Sequence, residues 1–209
     1  MSNQASSAKR KPSSGNRRNP HTHEAIIKAT LELLKSVHYH ALTIEAIASR
    51  AQVGKATVYR WWPSKGALVA EAIHSSLPIE EPPDTGDLRA DLAAATKISV
   101  NAYARDPGGI LITALATDLI TDPDLHQSFV KSVIQPRRNI LRNLLQRAVG
   151  EGLVAPGLDP ELVMDMWAGA VLYRKLLAMQ PVDDQFASQL LDAFLAENRV
   201  PAPPISGGE

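Results

Sequence analysis

The sequence contains no cysteine, which excludes several kinds of chemistry at once. Disulfides, cysteine-type zinc fingers, iron–sulfur clusters and thiol nucleophiles all require that side chain. Apolar runs are short: none approaches the length of about 18 residues that a membrane-spanning helix needs, and none has the form of a signal peptide. We therefore expect a cytoplasmic protein without a membrane partner.

Strand patterns and enzyme motifs are also missing. No alternating apolar and polar run is bounded by turn residues, so we predict an all-α fold. The sequence has no glycine-rich phosphate loop, no HExxH motif and no nucleophile elbow, and we predict no catalytic residue. The pairs His21–His23 and His38–His40 are spaced i, i+2, which does not place two rings on one helix face, so we expect neither metal nor cofactor.

The most informative segment that is present covers residues 42–65, LTIEAIASRAQVGKATVYRWWPSK. Thr43 is a favourable N-cap, so a helix is predicted to begin at residue 44. Gly54 is an acceptable N-cap for a second helix over about 55–61, and Pro63 ends it. Two short helices joined by so tight a turn have the spacing of a helix-turn-helix, whose second helix recognises DNA.

The predicted recognition helix presents small, polar and basic side chains. With Val58 turned inward, its outer face can bond phosphates, contact thymine methyl groups and reach guanine edges. Ser64 can cap a further helix over 65–76. Its first residue, Lys65, places a positive charge at the positive end of the helix dipole, and a bound DNA phosphate would offset this cost. The alternative is a solvated lysine with no role. The DNA-binding residues predicted from this pattern are Lys55, Ala56, Thr57, Tyr59, Arg60 and Lys65.

Charge is balanced overall but unevenly distributed along the chain. Residues 1–65 hold 11 Lys and Arg against 3 Asp and Glu, a net charge of +8, whereas the remaining 144 hold 11 against 19, a net of −8. This division indicates a polyanion partner for the N-terminal part only. We predict a disordered basic arm over residues 1–20, which either contacts DNA or only aids solubility.

Proline-rich and acidic sequence at residues 77–86 marks the end of the predicted helix-turn-helix domain, residues 21–76. A first helix, whose apolar stripe runs from Ile26 to Val37, is predicted to pack over the helix-turn-helix. Residues 77–199 form a predicted second domain, which contains the helices expected at a dimer interface, and residues 200–209 a flexible tail.

Several helix boundaries can be predicted in the C-terminal half. A long helix ends near residue 105, before the breaker DPGG, and acidic N-caps stand at the starts of three later helices. Pro136 falls inside one of them, which should kink or split there. The N-caps are Asp122, Asp159 and Asp183.

The helix predicted over about residues 160–179 is apolar nearly all round, so it must be covered on more than one side. We predict that it and the helix after Asp183 pair with their copies in a second chain as a four-helix interface. The predicted interface residues are Gly169, Leu172, Leu176, Phe186, Leu190 and Phe194.

The similarity of residues 42–65 to the TetR family of bacterial regulators implies that residues 77–199 form an effector-binding and dimerisation domain. Candidates for the effector site are apolar or amphipathic residues of its middle helices, although most such residues are simply core. The predicted ligand-binding residues are Tyr103, Leu111, Leu115, Phe129, Val133, Met166, Trp167 and Tyr173.

Residues 42–65 resemble the signature of the TetR family of bacterial transcriptional regulators, through LTIEAIA and VGKATVYRWWPSK near the start of a 209-residue chain. Weaker similarity lies in PRR at 136–138 and LYR at 172–174. The resemblance implies an all-α homodimer, with an N-terminal three-helix helix-turn-helix domain and a C-terminal helical ligand-binding and dimerisation domain. By their positions in the motif, it also implies that DNA is contacted by Thr43, Lys55, Ala56, Thr57, Tyr59, Arg60 and Lys65. Gln52 stands where the family usually has a turn glycine, so this turn must take a left-handed or otherwise unusual residue.

The predicted function is therefore a sequence-specific regulator, a repressor released from a palindromic double-stranded DNA operator by a small, largely apolar effector. One alternative is an architectural protein that binds DNA without sequence preference. The other is an enzyme with a helical chamber, in which His126, Asp183–Asp184 or the carboxylates near Glu80 would have to act, although no motif assembles them.

Overall fold

The computed structural model describes residues 19–77, 79–104, 111 and 114–198, with only the backbone for 103 and 104. These residues form helices and no strand, which confirms the all-α class. The N-terminal helices are α1 (Pro20–Leu34), α2 (Ile44–Arg50), α3 (Lys55–Trp61) and α4 (Lys65–Ser76). They are followed by α5 (Leu88–Ala104), α6 (Ala116–Thr121), α7 (Pro123–Phe129), α8 (Gln135–Gly150), α9 (Pro160–Leu172) and α10 (Asp184–Glu197). Most of the predicted arm, the DPGG breaker and the predicted tail lie outside the described residues.

Side-chain caps explain where these helices begin. The hydroxyl of Thr43 accepts the amide of Ala46 at 3.1 Å, and the hydroxyl of Ser64 accepts that of Ala67 at 3.0 Å. The helix starts predicted at residues 44, 55 and 65 are confirmed. The acidic caps predicted for α7, α9 and α10 are also confirmed: Asp122, Asp159 and Asp183 accept amide hydrogen bonds from the first turns.

Three helix ends differ from the predictions. Helix α1 ends at Leu34, so Val37 lies outside it and is exposed. The predicted split near Pro136 occurs slightly earlier, at a π-helical segment over Val130–Ile134, and the proline falls in the first turn of α8, where its missing N–H costs nothing. A second π-helical segment, Tyr173–Leu177, follows α9.

The reader domain, which we define as α1–α4, shares one apolar core with α7. Side chains such as Ile47 and Leu68 belong to the same buried cluster as Leu125 and Phe129. Helix α4 approaches α7 so closely that a Cβ atom on Gly66 would lie 2.7 Å from the amide nitrogen of Leu125. A second core joins α5, α8, α9 and α10.

Candidate DNA interface and effector cavity

The turn between α2 and α3 is built around a left-handed residue. Gln52 has a φ of 56°, as predicted for the position where a glycine was expected. The amide of Val53 then donates to the carbonyl of Ala48 at 2.9 Å, which closes the turn against the end of α2. This turn joins α2 directly to α3, which has its residues Lys55, Ala56, Tyr59 and Arg60 exposed.

Helix α3 presents the predicted residues on one outward face. Val58 is fully buried, as predicted, which turns the opposite side of the helix to solvent. Lys55, Ala56, Tyr59 and Arg60 are exposed and Thr57 is half-buried, while Thr43 is exposed at the start of α2. The structure therefore brings together the residues predicted to read DNA.

Both predicted lysines have partners within the protein. Lys55 forms an ion pair with Glu45 of α2, and this hydrogen bond lowers the pKa of the Glu45 carboxyl. The ammonium of Lys65 donates to the main-chain carbonyl of Tyr39 at 3.0 Å and lies 4.0 Å from the centre of the Tyr39 ring. Lys65 thus supports the short segment before α2, a role that the sequence pattern did not indicate.

A polar and aromatic cluster holds the end of α3, and sequence reasoning missed it. The carboxylate of Glu71 accepts the indole N–H of Trp62 at 2.7 Å and lies 2.7 Å from Nε2 of His23. The ring of His23 stacks on Trp62 and meets the edge of Trp61, with both centroid separations at 4.8 Å. Helices α1, α3 and α4 therefore meet at one point, and the Trp61–Trp62 pair was the available signal.

A second polar cluster joins the reader domain to α6 and α7. The hydroxyl of Tyr39 donates to Oδ2 of Asp122 at 2.7 Å, and Nδ1 of His40 lies 2.8 Å from Oδ1 of Asp118. Burial and the bond to Asp122 raise the pKa of the Tyr39 hydroxyl. The pKa of Asp122 is lowered, first by the amide of Leu125 and then by Tyr39.

An apolar cavity of about 400 Å³ lies between α5, α8 and α9. This volume falls within the range of about 300–1,000 Å³ that is typical of small-molecule sites. Four polar residues interrupt its apolar wall. The cavity is lined by Thr96, Ser99, Val100, Ala116, Leu119, Phe129, Ile134, Arg137, Arg138, Leu141, Met164, Trp167, Ala168, Val171, Leu172 and Leu176.

Two of the predicted ligand-binding residues, Phe129 and Trp167, line this cavity. Three others, Leu111, Leu115 and Val133, are buried in the core shared with the reader domain. Met166 and Tyr173 do not line the cavity and have exposed side chains, because they lie on the outer face of α9 and its π-helical extension. The side chain of Tyr103 lies outside the described residues.

The predicted interface residues also lie in different surroundings. Phe186 and Phe194 of α10 are buried in their own protomer against α5 and α9, and Leu190 is half-buried beside them. Leu172 and Leu176 line the cavity. Gly169 is exposed, and a Cβ atom added there would meet nothing within 4 Å.

One face of α9 and its extension carries an exposed apolar stripe. Leu162, Met166, Tyr173 and Leu177 are 58, 64, 60 and 75% exposed, with Gly169 between them. The helix predicted to be covered on more than one side therefore keeps one side open in the protomer. We call these five residues the α9 stripe.

His126, one of the residues that the enzyme alternative would require, is exposed, and its Nδ1 lies 3.1 Å from the carbonyl of Leu119. Among the described residues, no three side chains of His, Asp or Glu are arranged to hold a metal ion. No helix in that part of the chain is both long and apolar enough to cross a membrane.

Two family patterns match the chain: bacterial regulatory proteins of the tetR family over residues 26–72, and the tetracyclin repressor-like C-terminal domain over residues 82–194. The HTH-type transcriptional regulator YdeS of Bacillus subtilis is 32% identical over 183 residues, covering 86% of this chain and 91% of that protein. The DNA-binding transcriptional repressor TetR of Mycobacteroides abscessus is 30% identical over 177 residues, covering 82% and 90%. The crystal structure of the TetR family transcription regulator SCO0332 superimposes with a TM-score of 0.65 at 34% identity, covering 84% of this chain and 97% of that one. The chain belongs to the TetR family and is a helix-turn-helix transcriptional regulator.

Proposed function

We propose that the protein is a homodimeric repressor that binds a palindromic operator and leaves it when a small, largely apolar effector occupies the cavity. The observation that carries the proposal is the outward face of α3, where Lys55, Ala56, Tyr59 and Arg60 are exposed beside the half-buried Thr57. Such a face reads base edges, and a repressor acts on DNA in the cytoplasm. Thr43 and Lys65 are assigned to the phosphate backbone. Lys65 can bond a phosphate while it bonds Tyr39, because its ammonium has three donors.

Dimerisation is supported by the α9 stripe. An apolar stripe of this length is unfavourable in water, and a symmetric partner would cover it with the same stripe. Gly169 leaves room for the partner backbone to approach. In this arrangement α9 supplies most of the apolar contact, in place of Phe186, Leu190 and Phe194.

Effector control is supported by the 400 Å³ cavity, whose wall is mostly apolar. The effector would favour a separation of the two recognition helices that no longer matches the operator. A difference of about 1–3 kcal/mol between the two states changes operator affinity five- to 150-fold.

Selection from a pool of random DNA duplexes tests the proposal, because a dimeric reader should enrich a palindrome with a fixed half-site spacing.

With the enriched duplex, Arg60→Ala should weaken binding by roughly 1–3 kcal/mol and relax the preference at one base position. Lys65→Ala should instead weaken all duplexes alike and lower the salt dependence by about one ion. Arg50→Ala is the matched control, since Arg50 is exposed on α2 and pairs with Glu32, away from the outward face of α3. Enrichment of no sequence would indicate an architectural protein instead.

A further inference from the structure

A carboxylate lies beside the cations of the outward face of α3. Glu45 belongs to the first turn of α2, two residues after Thr43, and it forms an ion pair with Lys55, the first residue of α3. Both side chains are more than half exposed. Because the hydrogen bond from Lys55 lowers the pKa of the Glu45 carboxyl, this group is ionised at neutral pH. A negative charge is thus held next to a cation assigned to DNA recognition.

The charge of Glu45 has a local benefit that does not depend on Lys55. A carboxylate in the first turn of a helix is favoured by the helix dipole, whichever way its side chain extends. The contact with Lys55 adds little to stability, because solvent screens exposed ion pairs and both long side chains lose freedom. A carboxylate close to DNA also opposes binding, since the phosphates carry the same charge. The consequence of the pair is therefore to be found in how Lys55 meets DNA.

The ion pair changes which DNA groups suit the ammonium of Lys55. An ammonium has three donors, and one of them is used by Glu45. The others remain available to O6 and N7 of a guanine in the major groove. Attraction to phosphates, in contrast, depends on net charge and on the release of counterions, and it supplies most of the affinity for unrelated DNA. A lysine neutralised by a carboxylate loses more of its phosphate binding than of its base recognition.

We propose that Glu45 is a specificity-determining residue, which holds the ammonium of Lys55 for base contact and lowers the affinity of the protein for unrelated DNA. This inference rests on the proposed role of the outward face of α3 in reading an operator. Glu45 acts through Lys55, so it is a positioning residue. Discrimination arises because a complex with unrelated DNA loses the phosphate contact of Lys55, whereas a complex with the operator keeps the base contact.

Fluorescence anisotropy titrations with two duplexes test this assignment. One duplex is the operator enriched by selection, and the other has the same bases in scrambled order. At about 0.1 M salt, Glu45→Gln should tighten the scrambled duplex roughly five- to tenfold, because one more phosphate contact adds about 0.9 to the slope of log affinity against log salt. The operator should not tighten, so the ratio of the two affinities should fall by at least the same factor.

Glu32→Gln is the matched control. Glu32 of α1 accepts a hydrogen bond from Nη2 of Arg50 at 2.7 Å, so this variant also removes one carboxylate from an ion pair with a cation of the reader domain. Arg50 is the last residue of α2 and does not belong to the outward face of α3. The ratio of operator affinity to scrambled-duplex affinity should therefore equal that of the wild-type protein.

Two further variants separate the ion pair from the charge alone. Glu45→Asp keeps the charge in the first turn of α2 and shortens the side chain by one methylene, which withdraws the carboxylate from Lys55. It should lower the affinity ratio although the net charge is unchanged, and it serves if Glu45→Gln fails to fold. In a Lys55→Met protein, Glu45→Gln should leave the ratio unchanged, because the ammonium through which Glu45 acts is absent.

The outcomes distinguish this inference from the proposed function. If Glu45→Gln tightens both duplexes equally, or tightens neither, the specificity role is overturned while the operator-binding function remains. A lower ratio that persists in the Lys55→Met protein would also overturn it, since Glu45 would then act without Lys55. If the wild-type protein binds both duplexes equally, the proposed function and this inference both fail.

Discussion

At Gly66 the backbone of the reader domain lies directly against that of α7. Its missing side chain allows the backbone of α7 to pass at contact distance, since a Cβ atom would lie 2.7 Å from the nitrogen and 2.8 Å from the Cα of Leu125. Backbone atoms cannot rotate away as the end of a flexible side chain can. Position 66 therefore requires glycine because of packing, and not because of its backbone conformation.

Gly66→Ala should lower the free energy of unfolding by roughly 1–3 kcal/mol, the usual cost of forcing extra atoms into a packed site. Gly150→Ala is the matched control in α8, where an added Cβ meets nothing within 4 Å. The control should be unchanged or up to about 1 kcal/mol more stable, because alanine favours helix. Urea unfolding measures both, and equal effects would contradict the close approach of α4 and α7.

At the scale of elements, an ionic cluster joins α8 to α9. Glu161 accepts from Arg142 and from Arg138, and Arg138 also reaches Asp165. Hydrogen bonds from Arg142 and then Arg138 hold the pKa of the Glu161 carboxyl at about 2, below its usual 4.5. The cluster borders the cavity through Arg138, so it also fixes one wall of the proposed effector site.

This pKa gives a pH dependence of known sign. Because the pKa of Glu161 is lower in the folded state, its contribution to stability is present above pH 4.5 and is lost as the pH falls toward 2. Glu161→Gln should be less stable than the wild-type protein at pH 7, and the difference should shrink across this window. Chemical unfolding at several pH values measures this difference. If the free energies of unfolding of the two proteins ran parallel with pH, the ionisation of Glu161 would contribute nothing to stability.

Helix boundaries were predictable from the sequence, whereas the direction of helix faces often was not. Caps such as Thr43 and Ser64 are local signals, so the reader domain matched the prediction closely. Helix α9 is apolar on nearly every side, and only its packing against α8 and α10 decides which side faces inward. For that reason Met166 was expected in a pocket but lies on the surface, and Phe194 was expected at an interface but lies in the core.

The cavity arginines were missed for a related reason. Arg137 and Arg138 lie in a strongly polar stretch of α8, PRRNILRN, which is typical of a solvated face. Their position against the cavity depends on contacts with Leu77 and Glu161, which are distant in sequence. A single helix pattern carries no information about such partners.

At the scale of the whole molecule, the hydrogen bond from Tyr39 to Asp122 ties the reader domain to the C-terminal helices. Tyr39→Phe removes only the hydroxyl and should lower the free energy of unfolding by roughly 1–3 kcal/mol, as expected for a bond to a charged group. Tyr59→Phe, at an exposed position on α3, is the control and should leave stability unchanged. Urea unfolding measures both variants, and the same value for each would argue against the link.

The α9 stripe predicts the assembly state. Met166→Asp places a charge in the middle of this stripe and should convert the dimer into monomers, because an unpaired charge is costly in an apolar interface. Ile120→Asp makes the same kind of change at an apolar side chain on α6 that is 83% exposed, and it should leave the dimer intact. Sedimentation velocity measures the mass; a wild-type monomer would refute the interface.

The core that α1–α4 share with α7 has a consequence for engineering chimeric regulators. A cut in the proline-rich segment after α4 would detach the reader domain from Leu125 and Phe129, which complete its apolar centre. A DNA-reading module transplanted onto another sensor would therefore have to carry α7 with it, or receive a recipient helix shaped to meet Gly66. The unit that can be transferred intact therefore consists of two separate stretches of sequence, α1–α4 and α7. A graft whose boundary is the linker alone would separate them.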